Sequence, residues 1–137
     1  MQIRLPQIAA ALLILSCFFA CEKKDNPVQA TETELKVRHK WDFEKFVYNE
    51  NFGGTAATDT TLALPGEYAE FRDDNKVYAY SPAIGNDTSS YSIIGTTAIV
   101  IDSDTFQIRT LTATQFVIFS RFVYGSDFEE EEIHLRR

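Results

Sequence analysis

Tyr68-Ala69-Glu70-Phe71-Arg72-Asp73-Asp74-Asn75-Lys76-Val77-Tyr78-Ala79-Tyr80-Ser81 decides the class of the fold. Extended chain sends successive side chains to opposite faces, so Phe71 points inward on a strand that covers residues 67–72. Asp73-Asp74-Asn75 carries turn chemistry, because short polar side chains hydrogen-bond their own backbone and tolerate left-handed angles. Lys76 to Ser81, rich in Tyr and Val, is the returning strand, and the segment is a β-hairpin.

The same grammar extends in both directions. From Lys40 onward, Tyr, Phe, Ile, Val and Thr occur in short runs separated by Gly, Asn and Asp, with no sustained helical periodicity. Further strands are expected at 40–48, 60–64, 88–94, 97–102, 105–112, 115–124 and 128–136. Their turns fall at Gly95-Thr96, Ser103-Asp104, Ala113-Thr114 and Gly125-Ser126. In the first strand, Trp41 and Phe43 share one parity and Phe46 and Tyr48 the other, which predicts a bulge near Glu44-Lys45. Asn49 to Asp59, with Gly53-Gly54, reads as a long flexible loop at one rim. Eight or so strands in sequential hairpins favour an all-β, up-and-down antiparallel barrel, since closure removes exposed edges; an open sandwich is the alternative.

Ahead of this domain, Arg4 precedes an uncharged, mostly apolar run from Ile8 to Ala20. That is the charge and hydropathy order of a secretory signal, and the run is shorter than the ~20 apolar residues of a membrane-spanning helix. Both Ile14-Leu15-Ser16-Cys17 and Phe18-Phe19-Ala20-Cys21 place a small residue before cysteine. They resemble the lipobox of bacterial lipoproteins, which implies cleavage after residue 20 and acylation of the new N-terminal cysteine. Cys21 completes the apolar run and is the preferred lipidation site; Cys17 is the rival. Three acyl chains at ~0.8 kcal/mol per buried methylene make such an anchor effectively permanent. Residues 1–20 are therefore expected to be a cleaved signal, 21–35 a lipidated tether and 36–137 the β-domain. Thr31-Glu32-Thr33-Glu34 reads either as the cap of a short helix running to about His39 or as solvated linker. Glu22-Lys23-Lys24-Asp25 resembles a charged signal that routes lipoproteins to the cell surface in one Gram-negative phylum.

Cleavage would remove Arg4 and no acid, leaving 12 basic against 20 acidic side chains, a formal charge of −8. Such a surface argues against nucleic acid and against docking on anionic lipid. With Cys21 acylated no other cysteine remains in the mature chain, so disulfides, thiolate metal sites and cysteine nucleophiles are excluded from it.

Lys40-Trp41 on the first strand, Tyr68 to Asp74 before a Tyr-rich return, Ser90-Tyr91-Ser92-Ile93, and Phe106 to Thr112 before Gln115-Phe116-Val117-Ile118 follow one another in an order that resembles the lipocalin-like domain of small bacterial lipoproteins. The resemblance covers roughly residues 36–137. No glycine precedes Trp41 as in the usual Gly-x-Trp, and the chain is shorter than a full lipocalin. The resemblance implies an eight-stranded meander barrel, closed at one end by the Trp41 strand, whose mouth holds a small apolar ligand. It transfers no ligand residue.

Trp41, Phe71, Tyr78, Tyr80, Tyr91, Phe106, Phe116 and Phe119 are the candidate lining of such a cavity, because aromatic walls supply contact area and Tyr hydroxyls supply orientation. The alternative is that they fill the barrel solidly, which strands this short favour. Glu129 to Glu132, with Asp127, offers oxygens in a form calcium could use. Alternation, however, sends neighbouring carboxylates to opposite faces, so a solvated edge cross-paired with Arg109 or Arg121 is expected instead. His39 and His134 stand in no metal-ligand or nucleophile-base spacing, and His134 falls on the wet parity of its strand. Asn86-Asp87-Thr88 reads as a turn, and Asp59-Thr60-Thr61 resembles an O-glycosylation sequon. No phosphate loop, nucleophile elbow or zinc-protease motif occurs in the chain. The expectation is therefore a non-enzymatic, membrane-anchored module of the bacterial outer envelope without catalytic residues, metal or cofactor. It would bind a small apolar ligand or, alternatively, an envelope protein; a small hydrolase with clustered carboxylates ranks third.

Overall fold

The computed structural model of the protein describes residues 29–137. The expected signal 1–20, Cys17, Cys21 and most of the tether lie outside these residues. In chain order the elements are α1 (Glu32–Val37), β1 (Lys40–Phe52), β2 (Thr55–Leu62), β3 (Tyr68–Phe71), β4 (Lys76–Ser81), β5 (Gly85–Ile94), β6 (Ala98–Ile101), β7 (Asp104–Leu111), β8 (Gln115–Tyr124) and β9 (Asp127–Arg136).

All pairings are antiparallel, and β1 also pairs with β9, so the meander closes into a barrel. Because β9 occupies one edge of β1 from Asp42 to Asn51, β2 and β3 share the other edge. Together they make one broken barrel position, and the barrel counts eight strands. The break is chemical. Leu64-Pro65-Gly66-Glu67 forms a turn in which Glu67 N–H donates to the Leu64 carbonyl at 3.1 Å and Gly66 takes φ +87°, which proline and glycine in that order favour. On β1 the register with β9 shifts between Phe43 and Lys45, so Glu44 is the bulged residue the parity switch predicted. Phe43 and Phe46 consequently both face inward, with ring centroids 5.3 Å apart.

Several boundaries differ from the sequence reading. Asn49 to Asp59 is not a flexible loop: β1 continues to Phe52 and β2 begins at Thr55, joined by Gly53-Gly54 alone. Both glycines have positive φ, +58° and +81°, the angles of the tight two-residue turn whose twist matches paired strands. Asn86-Asp87-Thr88 lies within β5 rather than in a turn. Glu129 to Glu132 sits on a central strand between β1 and β8, so it is no sheet edge. The helix forms, with Thr31 Oγ1 accepting from Glu34 N–H and Glu34 Oε2 accepting from Thr31 N–H, a complete capping box. Its Thr33 and Val37 are both buried, so packed structure starts ahead of residue 36.

The core lies at the end where β1 starts and β9 finishes. Val37, Trp41, Ile99 and Phe116 have no exposed surface, and Phe71, Val77, Tyr91, Ile118 and Leu135 pack around them.

Candidate ligand-binding site

The capped end of the barrel is solid. Trp41 lies 5.5 Å from Phe116, centroid to centroid, and Phe71 meets Phe116 and Tyr91 edge-on at 5.8 and 5.2 Å. Both polar tips among these rings are answered: Trp41 Nε1 donates to the Val37 carbonyl at 2.9 Å and the Tyr91 hydroxyl to the Arg72 carbonyl at 2.7 Å. Burial holds the Tyr91 phenol above its ordinary value. Four of the eight aromatics expected to line a cavity thus form its floor.

Above that floor the lumen is open. A cavity of about 170 Å³ is walled by inward-facing Phe43, Ala69, Phe71, Ala79, Ile118 and Ile133, with Asp87 and Ser89 on β5 among its few polar groups. Of the expected lining set only Phe71 borders this space; Phe106 faces the core beside Ile99. Small Ala69 and Ala79, opposite each other on β3 and β4, are what leave the room. A second recess of about 330 Å³ shares Phe43, Ala79 and Asp87 with the first and runs out past Phe46 and Ile84. Tyr80 borders that recess, yet its ring stacks on Tyr68 across the ladder, 5.8 Å between centroids, on the outer face.

Tyr78 and Phe119 are corrections. β4 alternates about inward Val77 and Ala79, which turns Tyr78 outward, where its hydroxyl donates to Asp74 at 2.8 Å and the Arg72 guanidinium covers its ring. Phe119 likewise faces out beneath Arg109, 3.5 Å from guanidinium carbon to ring centroid. Aromatic residue type was therefore a poor guide to the lining; parity on each strand, counted from a residue known to be buried, would have sorted them.

Beyond the mouth, the distal halves of β1, β8 and β9 and the whole of β2 stand up as a four-stranded sheet, ordered β2-β1-β9-β8. Its inner face continues the barrel wall row by row. Thr61, Phe46, Ile133 and Ile118 lie side by side, then Asp59, Tyr48, Glu131 and Ser120, then Ala57, Glu50, Glu129 and Phe122. The last two rows, apart from buried Ser120, border a cleft of about 450 Å³, at which Asn49, Thr58 and Glu130 also stand. The acidic run is split between the faces. Outward Glu130 pairs with Arg121 at 3.1 Å, and outward Glu132 with Arg109 and His134, so both expected cross-pairings form. Among the described residues, no basic side chain lies within ion-pair distance of inward Glu129 and Glu131 or of Glu50 and Asp59. Burial and then the neighbouring Glu131 carboxylate raise the Tyr48 phenol.

His134 lies on the outer face, its Nε2 2.6 Å from Glu132 Oε1. His39 sits edge-on to Trp41 at 6.3 Å, its imidazole lowered by burial and then by Arg137. Among the described residues no three acidic, imidazole or thiol groups converge as metal ligands do. Comparison with known protein families and with curated proteins finds no match to this chain.

Proposed function

We propose that the protein is a lipocalin-like binding module, held on a bacterial envelope membrane by a lipid on Cys21, or on Cys17 in its place, and that its open lumen takes a small apolar molecule. One observation carries the ligand half: the inner wall stays aliphatic and aromatic past the plug and encloses unfilled space that opens to solvent. An apolar cavity of ~150 Å³ is enough to admit a benzene-sized molecule, so the deep part suits a single chain or ring rather than a bulky ligand. Binding fits this site better than hydrolysis. A hydrolytic carboxyl acid keeps its proton in a dry pocket, whereas half-exposed Tyr48 and Phe122 leave the carboxylate cleft open to water.

The test is native mass spectrometry of the full chain after exposure to an envelope lipid extract, beside Ala79→Phe, whose ring projects into the lumen. Retained ligand in the native protein and none in the variant is expected. Equal retention by both would overturn the lumen site. Mass analysis of the mature N-terminus tests the anchor: a Cys21→Ala protein that remained lipidated would assign it to Cys17.

A second reading, a protein-interaction module, has its own observation. Among the described residues β2 pairs only with β1, leaving the eight residues Thr55–Leu62 with an edge that an extended segment of another protein can join. Crosslinking from β2 in intact envelopes that captured no protein would remove it.

A further inference from the structure

We infer that the ligand carries a positive charge on an apolar stem, an amine or quaternary ammonium group seated in the carboxylate cleft with the stem in the lumen. The inference rests on the lumen reading above and adds the chemistry of the head group.

The polarity of the open end comes first. Its inward acids are Glu129, Glu131, Glu50 and Asp59 in the cleft and Asp87 and Glu67 in the recess below. The cations are elsewhere: Lys45, Arg109 and Arg121 lie on the outer face, and the remaining described Lys and Arg cluster around the capped end. A molecule entering the mouth therefore meets a field of one sign, focused by apolar walls.

The arrangement also lowers stability without a structural return. Glu50 and Glu129 stand directly opposite each other in the ladder, and like charges so placed repel. Their outward neighbour Glu130 shows that the same strand neutralises its acids where an arginine is supplied. An incoming cation would relieve the repulsion, and the rings of Tyr48 and Phe122 beside the acids present faces that attract cations.

The third observation is a polar group left waiting. Ser120 stands opposite Glu131 on the same inner face, in the row where the aliphatic wall gives way to carboxylates. It is 3 % exposed, and its Oγ has no hydrogen-bond partner among the described residues. Buried hydroxyls are rarely left so, and one at the junction of stem and head matches a ligand polar atom there. An organic cation suits the site better than a metal ion, because its carboxylates are spread along the cleft instead of converging on one point.

The test titrates the full chain at low ionic strength with hexyltrimethylammonium, hexanoate and hexanol, followed by NMR shifts of the Tyr48 and Phe122 rings. At least tenfold tighter binding of the ammonium than of hexanoate is expected, with the preference lost in 1 M salt. Glu129→Gln with Glu131→Gln should abolish the preference. Glu70→Gln with Glu132→Gln, the same charge change at two outward acids that do not border the cleft, should keep it. Glu129→Lys with Glu131→Lys should invert it, and thermal melts report that each variant is folded. Equal binding of all three probes, or equal loss in both Gln pairs, overturns the head-group inference and leaves the lumen reading standing. No binding by any probe overturns both.

Discussion

At the capped end, Trp41 and Phe116 are wholly buried, the indole N–H has its acceptor, and α1 closes the barrel over them. At the other end Phe52, Phe122 and Tyr124 keep 41 %, 45 % and 57 % of their surface, acids oppose acids, and β2 is paired on one side only. The two regions are built from the same strands: β1, β8 and β9 run through both. What differs is whether the inner face meets an opposite wall. Where it does, aromatic surface is removed from water and each such side chain contributes ~1.5–3 kcal/mol. Where the sheet rises above the barrel, large side chains of the same strands keep about half their surface in water.

The largest expected effect breaks this asymmetry outright. Trp41→Ala should cost about 3–5 kcal/mol in urea unfolding, the penalty for emptying a packed aromatic site, whereas Phe122→Ala should stay within about 0.5 kcal/mol. Comparable losses at the two positions would mean that the upper sheet is as tightly packed as the plug. Next is the cap on the closed end. Thr31→Ala removes one half of the capping box and should lower stability by about 1 kcal/mol in the same assay, with α1 fraying first in amide exchange. At the open end the sign should reverse: Glu50→Gln removes the acid opposite Glu129 and is expected to stabilise by about 0.2–1 kcal/mol at low salt, less in high salt.

The smallest effect is a pH dependence at the turn after β6. Hydrogen bonds from Ser89, then from the Ser90 backbone and hydroxyl, hold the Asp102 carboxyl below its ordinary value. A depressed folded pKa contributes stability that is present above the unfolded value, about pH 4, and is lost as pH falls through the folded one. Melting temperatures of the native protein and of Asp102→Asn should therefore converge as pH drops below about 4. Asparagine tolerates the φ of +52° at this position, so backbone strain does not confound the comparison.

The capped end was largely legible. Trp41 and Phe71 were read as inward, the hairpin at 68–81 and the strands 76–81 and 115–124 appear as read, and the bulge at Glu44 followed from the parity of four aromatic residues. These are local signals, carried by alternation and turn chemistry. The open end was not legible to the same degree. Gly53-Gly54 between two runs of strand formers is itself a hairpin signal, but the polar Asn49-Glu50-Asn51 and Thr58-Asp59 flanking it masked the strands. Tyr78 and Phe119 were placed in the lumen on residue type although their parity sends them out. Ala69 and Ala79, the residues that create the cavity, carry no signal at all.

By itself the sequence determined an antiparallel meander, most of its turns and the bulge in β1, because each depends on residues adjacent along the chain. Only the tertiary structure decided that β9 closes on β1, that two alanines facing each other leave a lumen, and that Glu129 and Glu131 share a face with Glu50 and Asp59 while Glu130 and Glu132 find cations. Those outcomes depend on which strand lies beside which and in what register. Register joins residues some eighty positions apart, such as Glu50 and Glu129, through backbone hydrogen bonds that leave no mark on residue type.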